Sequence, residues 1–275
     1  MKAVRFRNPA GDLRIGSLSE DGEIIDAGAA PPGGFVPSRE GWEELERASG
    51  PRHEVGEVSL LRPLQPGKVL AVGFNYRDHA EESGDVPPSS PMIFAKLPSS
   101  LIDPGEPIRL PPEEPEPDFE AELALVIGRR TRRVAVAEAL ASIGGITAMN
   151  DVSGRGAQFG DPGLTWAKGY DTFGPLGPCI ARQDPSGWHD LDLTCTVSGE
   201  LMQKANSADM VFGPLELVSR LSHLCTLEPG DVISTGTPAG VGFAREPARF
   251  LRPGDVVEVW VEGVGTLRNP VVSDS

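Results

Sequence analysis

At 275 residues the chain is longer than a usual single domain, although one large β-rich domain with a small appendage would also account for it. Forty acidic residues stand against 25 basic ones, a formal charge of −15 with no compensating Lys/Arg block, which argues against nucleic acid and anionic membranes as partners. The opening "MKAVRFRNPAGDLRIG" has no apolar signal-peptide core, no window approaches the length of a membrane span, and Cys179, Cys195 and Cys225 form no C-x-x-C pair; the expectation is a soluble cytoplasmic protein with reduced, mostly buried thiols.

In chain order, the first 27 residues predict three short strands, "KAVRF", "DLRIGSL" and "EIIDAG", followed by the loop "APPGGFVPS" and a short helix, "REGWEELERA". These make a small N-terminal β-rich module, residues 1–61, from which "EVSLLRPLQPG" leads through two prolines into a larger unit, residues 62–275. There "KVLAVGF", "MIFAKL", "FEAELALVIG", "GITAMND", "LDLTCTVSG", "GDVISTG", "DVVEVWVEG" and "GTLRNPV" read as strands. The 33 glycines and 27 prolines are spread between these runs as turn punctuation, and "EPGDVI" and "RPGDVV" use one Pro-Gly-Asp turn twice, each before a strand. Helices are few: "VAVAEALASI", and "PLELVSRLSHLC", in which Leu215, Val218, Leu221, Leu224 and Cys225 are expected to share a face. The class expected is β-rich α+β.

The strand "PDFEAELALVIG" carries the first chemical signal. Phe119, Ala121, Leu123, Leu125 and Ile127 alternate toward a core, which puts Glu120 and Glu122 together on the other face, roughly 6–7 Å apart. An isolated E-x-E is ordinarily a solvated face, but this one continues into Ala124 and Val126, so the two carboxylates need a compensating cation. "GGITAMNDVSGR" places Asp151 at a strand end, where Asn-Asp by itself is turn chemistry. Three carboxylates from separate strands would form an all-oxygen site suited to Mg²⁺ or Mn²⁺, with waters or substrate in the remaining octahedral positions. Spacing alone does not bring Asp151 to the glutamates. Earlier in the chain, "GFNYRDHAEE" sets Asn75, Tyr76, His79, Glu81 and Glu82 within one segment, which by itself reads as a polar helix N-terminus at the surface sooner than as the rim of a site.

Together, "GFNYRDHAEE", "FAKLPSSLIDPGEPI", "DFEAELALVIG", "MNDVSGR", "AKGYDTFGPLGP", "EPGDVISTGTPAGVG" and "RPGDVVEVWVEGVGTLRN" resemble, in order and context, the fumarylacetoacetate hydrolase superfamily, over roughly residues 62–271. The resemblance implies a mixed β-roll catalytic domain, often dimeric, with one divalent cation held by Glu120, Glu122 and Asp151; Mg²⁺ or Mn²⁺ is expected, with Ca²⁺ as the alternative. It further implies that His79 sits on a short helix or lid over the metal, paired with Glu82, and the i, i+3 spacing puts the two on one helix face. The carboxylate then orients the imidazole while the other ring nitrogen takes a proton. Lys168 is implied beside the metal, stabilising an oxyanion or enolate. Gln158 and Arg155 match residues that approach the substrate, although Gly156 stands where the family commonly has Asp. Thr237 of "GTPAG" is a candidate to bind a substrate carboxylate, and Tyr76 and Lys96 are further substrate-contact candidates. Glu81, His53, His189 and His223 have no partner pattern around them.

A hard cation with open positions favours a small 2-oxo acid as substrate. The first expectation is a metal-dependent hydrolase, acting as a homodimer, that cleaves a C–C bond in an acylpyruvate-type β-diketo acid. The close alternative is isomerisation of 2-hydroxyhepta-2,4-diene-1,7-dioate or decarboxylation of oxaloacetate. An alternative of another class is a non-catalytic β-roll binding subunit, which the presence of every expected ligand, His79 and Lys168 disfavours.

Overall fold

The alternating strand lies in the middle of a twelve-stranded sheet, and both of its faces are buried. In the computed structural model, which describes residues 1–160, 163–182 and 187–274, the sheet runs Arg52–Glu54, Glu23–Ala29, Leu13–Leu18, Lys2–Arg7, Gly174–Ala181, Ile143–Asn150, Ala121–Ile127, Val232–Ser234, Val69–Gly73, Met92–Lys96. Ser59–Leu61 adds to Lys2–Arg7, and Leu101–Ile102 adds to Gly174–Ala181. Neighbours along the main path are antiparallel except Val232–Ser234 and Val69–Gly73, which are parallel. The N-terminal strands join the rest through Lys2↔Ala181 and Ala3↔Ile180.

A second sheet of five strands, Glu200–Asn206, Asp192–Val197, Val256–Val261, Gly265–Ser273 and Ile108–Leu110, covers one face of the first. Leu123, Leu125 and Ile127 meet Leu193, Val257, Val259 and Leu267 there in one apolar cluster. Ala124 and Val126 point the other way, into a second cluster with Trp42, Leu64 and Val69. Trp42 belongs to the predicted N-terminal helix, observed at Arg39–Glu46 and capped by the Ser38 side chain on the Gly41 N–H. The fold is thus the expected β-rich α+β one.

Three local readings change. Gly174–Ala181, dense in Gly and Pro, is a central strand; the register slips between Ile146 and Ala148 opposite Gly177, and Pro178 follows at this irregularity, where a missing ladder N–H is tolerated. Ser59–Leu61, read as connection, is a strand. The helix Pro214–Leu224 buries Pro214, Leu217, Val218 and Leu221, so its apolar stripe starts at Pro214 and Leu224 falls outside it, 63% exposed. Among the described residues no helix is long and apolar enough to cross a membrane.

Candidate active site

Sheet register assembles the carboxylates. Because Ala121 pairs with Asn150, the start of one strand lies beside the end of the next, and the Asp151 N–H donates to the Glu120 carbonyl at 2.9 Å. Ser234, at the end of a third strand, pairs with Ala124. Glu120, Glu122 and Asp151 thereby bring ligand atoms within 4.8 Å of one another, all three buried.

Such a concentration of charge is tolerable only with cations beside it. Lys168 Nζ donates to Glu120 Oε2 at 2.7 Å and to Asp151 Oδ2 at 2.8 Å. Lys96 Nζ ion-pairs with Asp151 Oδ1 at 2.8 Å and donates to the carbonyls of Phe173 (2.7 Å) and Val152 (3.2 Å). Arg155 donates to Asp118 Oδ2 at 2.9 Å, to Glu120 Oε1 at 2.7 Å and to Gln158 Oε1 at 2.6 Å. Glu122 has no cation; it accepts the Ser234 hydroxyl and, at 2.9 Å, the Gly236 N–H.

The acid–base consequences follow the partners. Burial pushes Glu120 up, but Lys168 and Arg155 outweigh it and hold the group down at about 2. Burial, with Asp151 and Glu120 adding to it, drives Glu122 well above the usual carboxylate range. Lys168 is raised despite its burial, by Asp151 and Glu120. A divalent cation fits this set: three buried carboxylates bring oxygen donors within 4.8 Å of one another, and Glu122 has no ion-pair partner among the described residues.

His79 is carried by the short helix Arg77–Glu82. Its Nδ1 lies 2.8 Å from Glu82 Oε1, while Glu82 Oε2 accepts the Gly240 N–H at 2.9 Å, so the carboxylate that orients the ring is itself anchored across the site. Phe74 stacks on the imidazole with centroids 5.6 Å apart and holds a left-handed backbone, φ 53°, a costly conformation for an aromatic residue. Asn75 fixes the approach to the helix: its side chain donates to the carbonyls of Thr235 (2.7 Å) and Phe212 (3.1 Å) and accepts the Phe212 N–H.

A cleft with a cavity volume of about 90 Å³ is lined by His79, Glu120, Arg155, Gln158, Lys168 and Thr237, with Phe74, Phe94 and Phe243 as apolar walls. Tyr76 and Lys96 are not on its lining. Tyr76 is fully buried with an unpartnered hydroxyl, and the Lys96 ammonium is occupied as described. The Thr237 hydroxyl donates to the Ala121 carbonyl at 3.0 Å and accepts from Gln203 at 2.8 Å.

Several residues of this arrangement escaped the sequence reading. Asp118 accepts the N–H groups of Gly242 (2.7 Å) and Phe243 (3.1 Å) besides Arg155, and Gln203 reaches in from the second sheet. The parity of Asp118 with Glu120 and Glu122 was the available signal for it. Glu114 accepts the N–H groups of Gly156 and Ala157 at 3.0 Å, and a Cβ at 156 would come within 2.9 Å of its Oε1. A carboxylate is therefore already seated where an Asp side chain would begin, which is why glycine fits at 156.

His79, hydrogen-bonded to Glu82, the Lys168 ammonium and Glu120 line one cleft, and Glu122 and Asp151 bring ligand atoms within 4.8 Å of those of Glu120. The chain belongs to the fumarylacetoacetate hydrolase family: the family model described as "Fumarylacetoacetate (FAA) hydrolase C-terminal" matches residues 68–272. It is 44% identical to a mitochondrial oxaloacetate tautomerase of Bos taurus over 220 residues, 78% of this chain and 70% of that one. Among solved structures it superposes on a 5-carboxymethyl-2-hydroxymuconate delta-isomerase from Mycobacterium smegmatis (38% identity, TM-score 0.83, all of both chains covered). It also superposes on a 2-hydroxyhepta-2,4-diene-1,7-dioate isomerase from Mycobacterium marinum (34% identity, TM-score 0.82, covering 100% of this chain and 99% of that one).

Proposed function

We propose that the protein is a tautomerase or isomerase of a small 2-oxo acid, dependent on Mg²⁺ or Mn²⁺ held by Glu120, Glu122 and Asp151. The carrying observation is that His79, with Nδ1 committed to Glu82, and Lys168, between Glu120 and Asp151, line one cleft. The cation, when bound, supplies Lewis acidity toward the C1 carboxylate and C2 oxygen of the substrate. His79 Nε2 is the ring nitrogen left to move a proton at C3, with Glu82 supporting the charged imidazolium. Lys168 carries positive charge beside the C2 oxygen as negative charge grows there. Arg155 and Gln158 orient the rest of the substrate, and the phenylalanine walls keep water from the proton in transit. Enol-to-keto conversion moves one proton from the C2 hydroxyl to C3 and needs no nucleophile.

Hydrolysis of an acylpyruvate, the first expectation from the sequence, additionally needs an attacking water, and tautomerase and isomerase are the activities named for more of the relatives than hydrolase is; hydrolysis therefore ranks second. An ultraviolet assay of the metal-loaded protein on enol-oxaloacetate, 2-hydroxyhepta-2,4-diene-1,7-dioate and acylpyruvates separates the cases. Metal-dependent loss of enol absorbance without cleavage is expected. Cleavage of acylpyruvates as the faster activity would reverse the order, and an inactive protein that binds no divalent metal would restore the binding-subunit alternative. The reading includes a homodimer, two-fold dimers being the commonest closed oligomers. Light scattering at micromolar concentration that returned only the 29.2 kDa monomer would remove the dimer.

A further inference from the structure

Ala121 stands between the two glutamates, and side chains hold both of its backbone polar groups. Its N–H donates to Gln203 Oε1 at 2.9 Å, its carbonyl accepts the Thr237 hydroxyl at 3.0 Å, and Gln203 Nε2 donates to the Thr237 oxygen at 2.8 Å. The three bonds close a ring joining the first sheet, the second sheet and the loop after Val232–Ser234. Gln203 spends its other N–H on the Pro238 carbonyl at 2.9 Å, so its amide is fully used, and both side chains are buried. The single hydroxyl hydrogen of Thr237 goes to Ala121, so Thr237 has none to give a substrate carboxylate.

A ring aimed at this one peptide has a specific lever. Glu120 and Glu122 leave the backbone on either side of Ala121, and turning that residue swings both carboxylates at once. We propose that Gln203 and Thr237 are positioning residues for the metal: they fix the Ala121 backbone and thereby set the separation and direction of the two glutamate donors. The inference rests on the metal reading of the triad given above. Partners that orient metal ligands from behind are typically worth about 10–100-fold in metal affinity.

The test is calorimetric titration of Mn²⁺ into chelator-stripped protein for the wild type, Thr237→Val, Thr237→Ser, Gln203→Leu and the Gln203→Leu/Thr237→Val double variant. Thr237→Val keeps the shape and removes the hydroxyl, so affinity should fall by about 10–100-fold, and Thr237→Ser should restore most of it. The double variant should bind about as weakly as either single one, because the ring acts as a unit. Should Gln203→Leu fail to fold, the Val/Ser pair carries the test alone. Folded Thr237→Val with affinity within about threefold of wild type overturns the proposal, as does Thr237→Ser being as weak as Thr237→Val. Wild-type protein that takes up no Mn²⁺ overturns this proposal together with the functional reading, whereas normal wild-type binding with unaltered variants overturns this one only.

Discussion

Ala121–Ile127 and Val256–Val261 are both alternating strands with glutamate on the even positions, yet they do different things with it. In Val256–Val261 the odd residues are buried, while Glu258 is half-buried with its carboxylate 3.3 Å from the exposed Arg268 and Trp260 is exposed. In Ala121–Ile127 every residue is buried, because the strand has the second sheet on one side and the Trp42 cluster on the other. A glutamate on the first kind of strand is a solvated face; on the second kind it has to be neutralised by protein or by an ion. The residues after the glutamates distinguish the two: Ala124 and Val126 forbid a wet face, and Trp260 permits one.

The largest expected contrast is between Glu122→Gln and Glu258→Gln. The first keeps volume and removes the uncompensated carboxylate, so Mn²⁺ binding and turnover should be lost while the metal-free protein folds at least as well as wild type, its buried acid having been replaced by a neutral amide. The second should alter neither. Calorimetry showing wild-type affinity in Glu122→Gln would break the comparison at its centre.

Next in size is the cost of unpairing the cations. Arg155→Met leaves the buried Asp118 without an ion-pair partner and Glu120 with Lys168 alone, and should cost about 3–5 kcal/mol of stability. Arg268→Met, beside Glu258, should cost about 0–1 kcal/mol. Urea denaturation of both variants gives the two numbers, and similar losses would mean that burial is not what separates the two strands.

A third prediction concerns catalysis. His79→Ala should lower tautomerisation by ~10²-fold or more while leaving Mn²⁺ affinity near that of wild type, because the histidine moves a proton and does not hold the ion. Equal losses of metal affinity and turnover would make His79 part of the site's frame.

How much of this was legible follows the range of each interaction. The two Pro-Gly-Asp turns were readable because they are local: in Glu228–Asp231 and in Arg252–Asp255 the fourth N–H donates to the first carbonyl at 3.0 Å, the glycine is left-handed, and the Asp carboxylate accepts the first N–H. Glu120 and Glu122 were readable because alternation along one strand exposes them, whereas His79 with Glu82 came from the family resemblance, with which their i, i+3 spacing agrees. Asp118, Glu114 and Gln203 were not readable, because these backbone partners lie 42 to 125 positions away, and only the sheet register and the loop after Val232–Ser234 decide their approach. Gly174–Ala181 was hidden by its own prolines, which are poor strand formers except where the register slips. The ammonium of Lys96 lies 2.8 Å from Asp151 by the same long-range assembly, which no spacing in "MIFAKL" announces.

The smallest effect is expected at the Pro-Gly-Asp turn that feeds Val256–Val261. Burial raises Asp255, but hydrogen bonds from Arg249, the Arg252 N–H and the Ser198 hydroxyl outweigh it and hold its carboxyl below the usual aspartate range. A depressed carboxylate contributes stability above its unfolded-state pKa and loses that contribution as pH falls through the folded value. Asp255 therefore stabilises the protein at neutral pH and ceases to do so below about pH 4. Asp255 is itself buried, but its partner Arg249 is partly open to solvent, and screening of the pair keeps the contribution to about 1 kcal/mol. Asp255→Asn, compared with wild type by thermal unfolding in chelator so that no metal contributes, should show a lower midpoint at pH 7 and a gap that closes toward pH 3. A gap that stayed constant across that range would mean that Asp255 acts through its shape in the turn, and one that widened in acid would reverse the sign of its charge contribution.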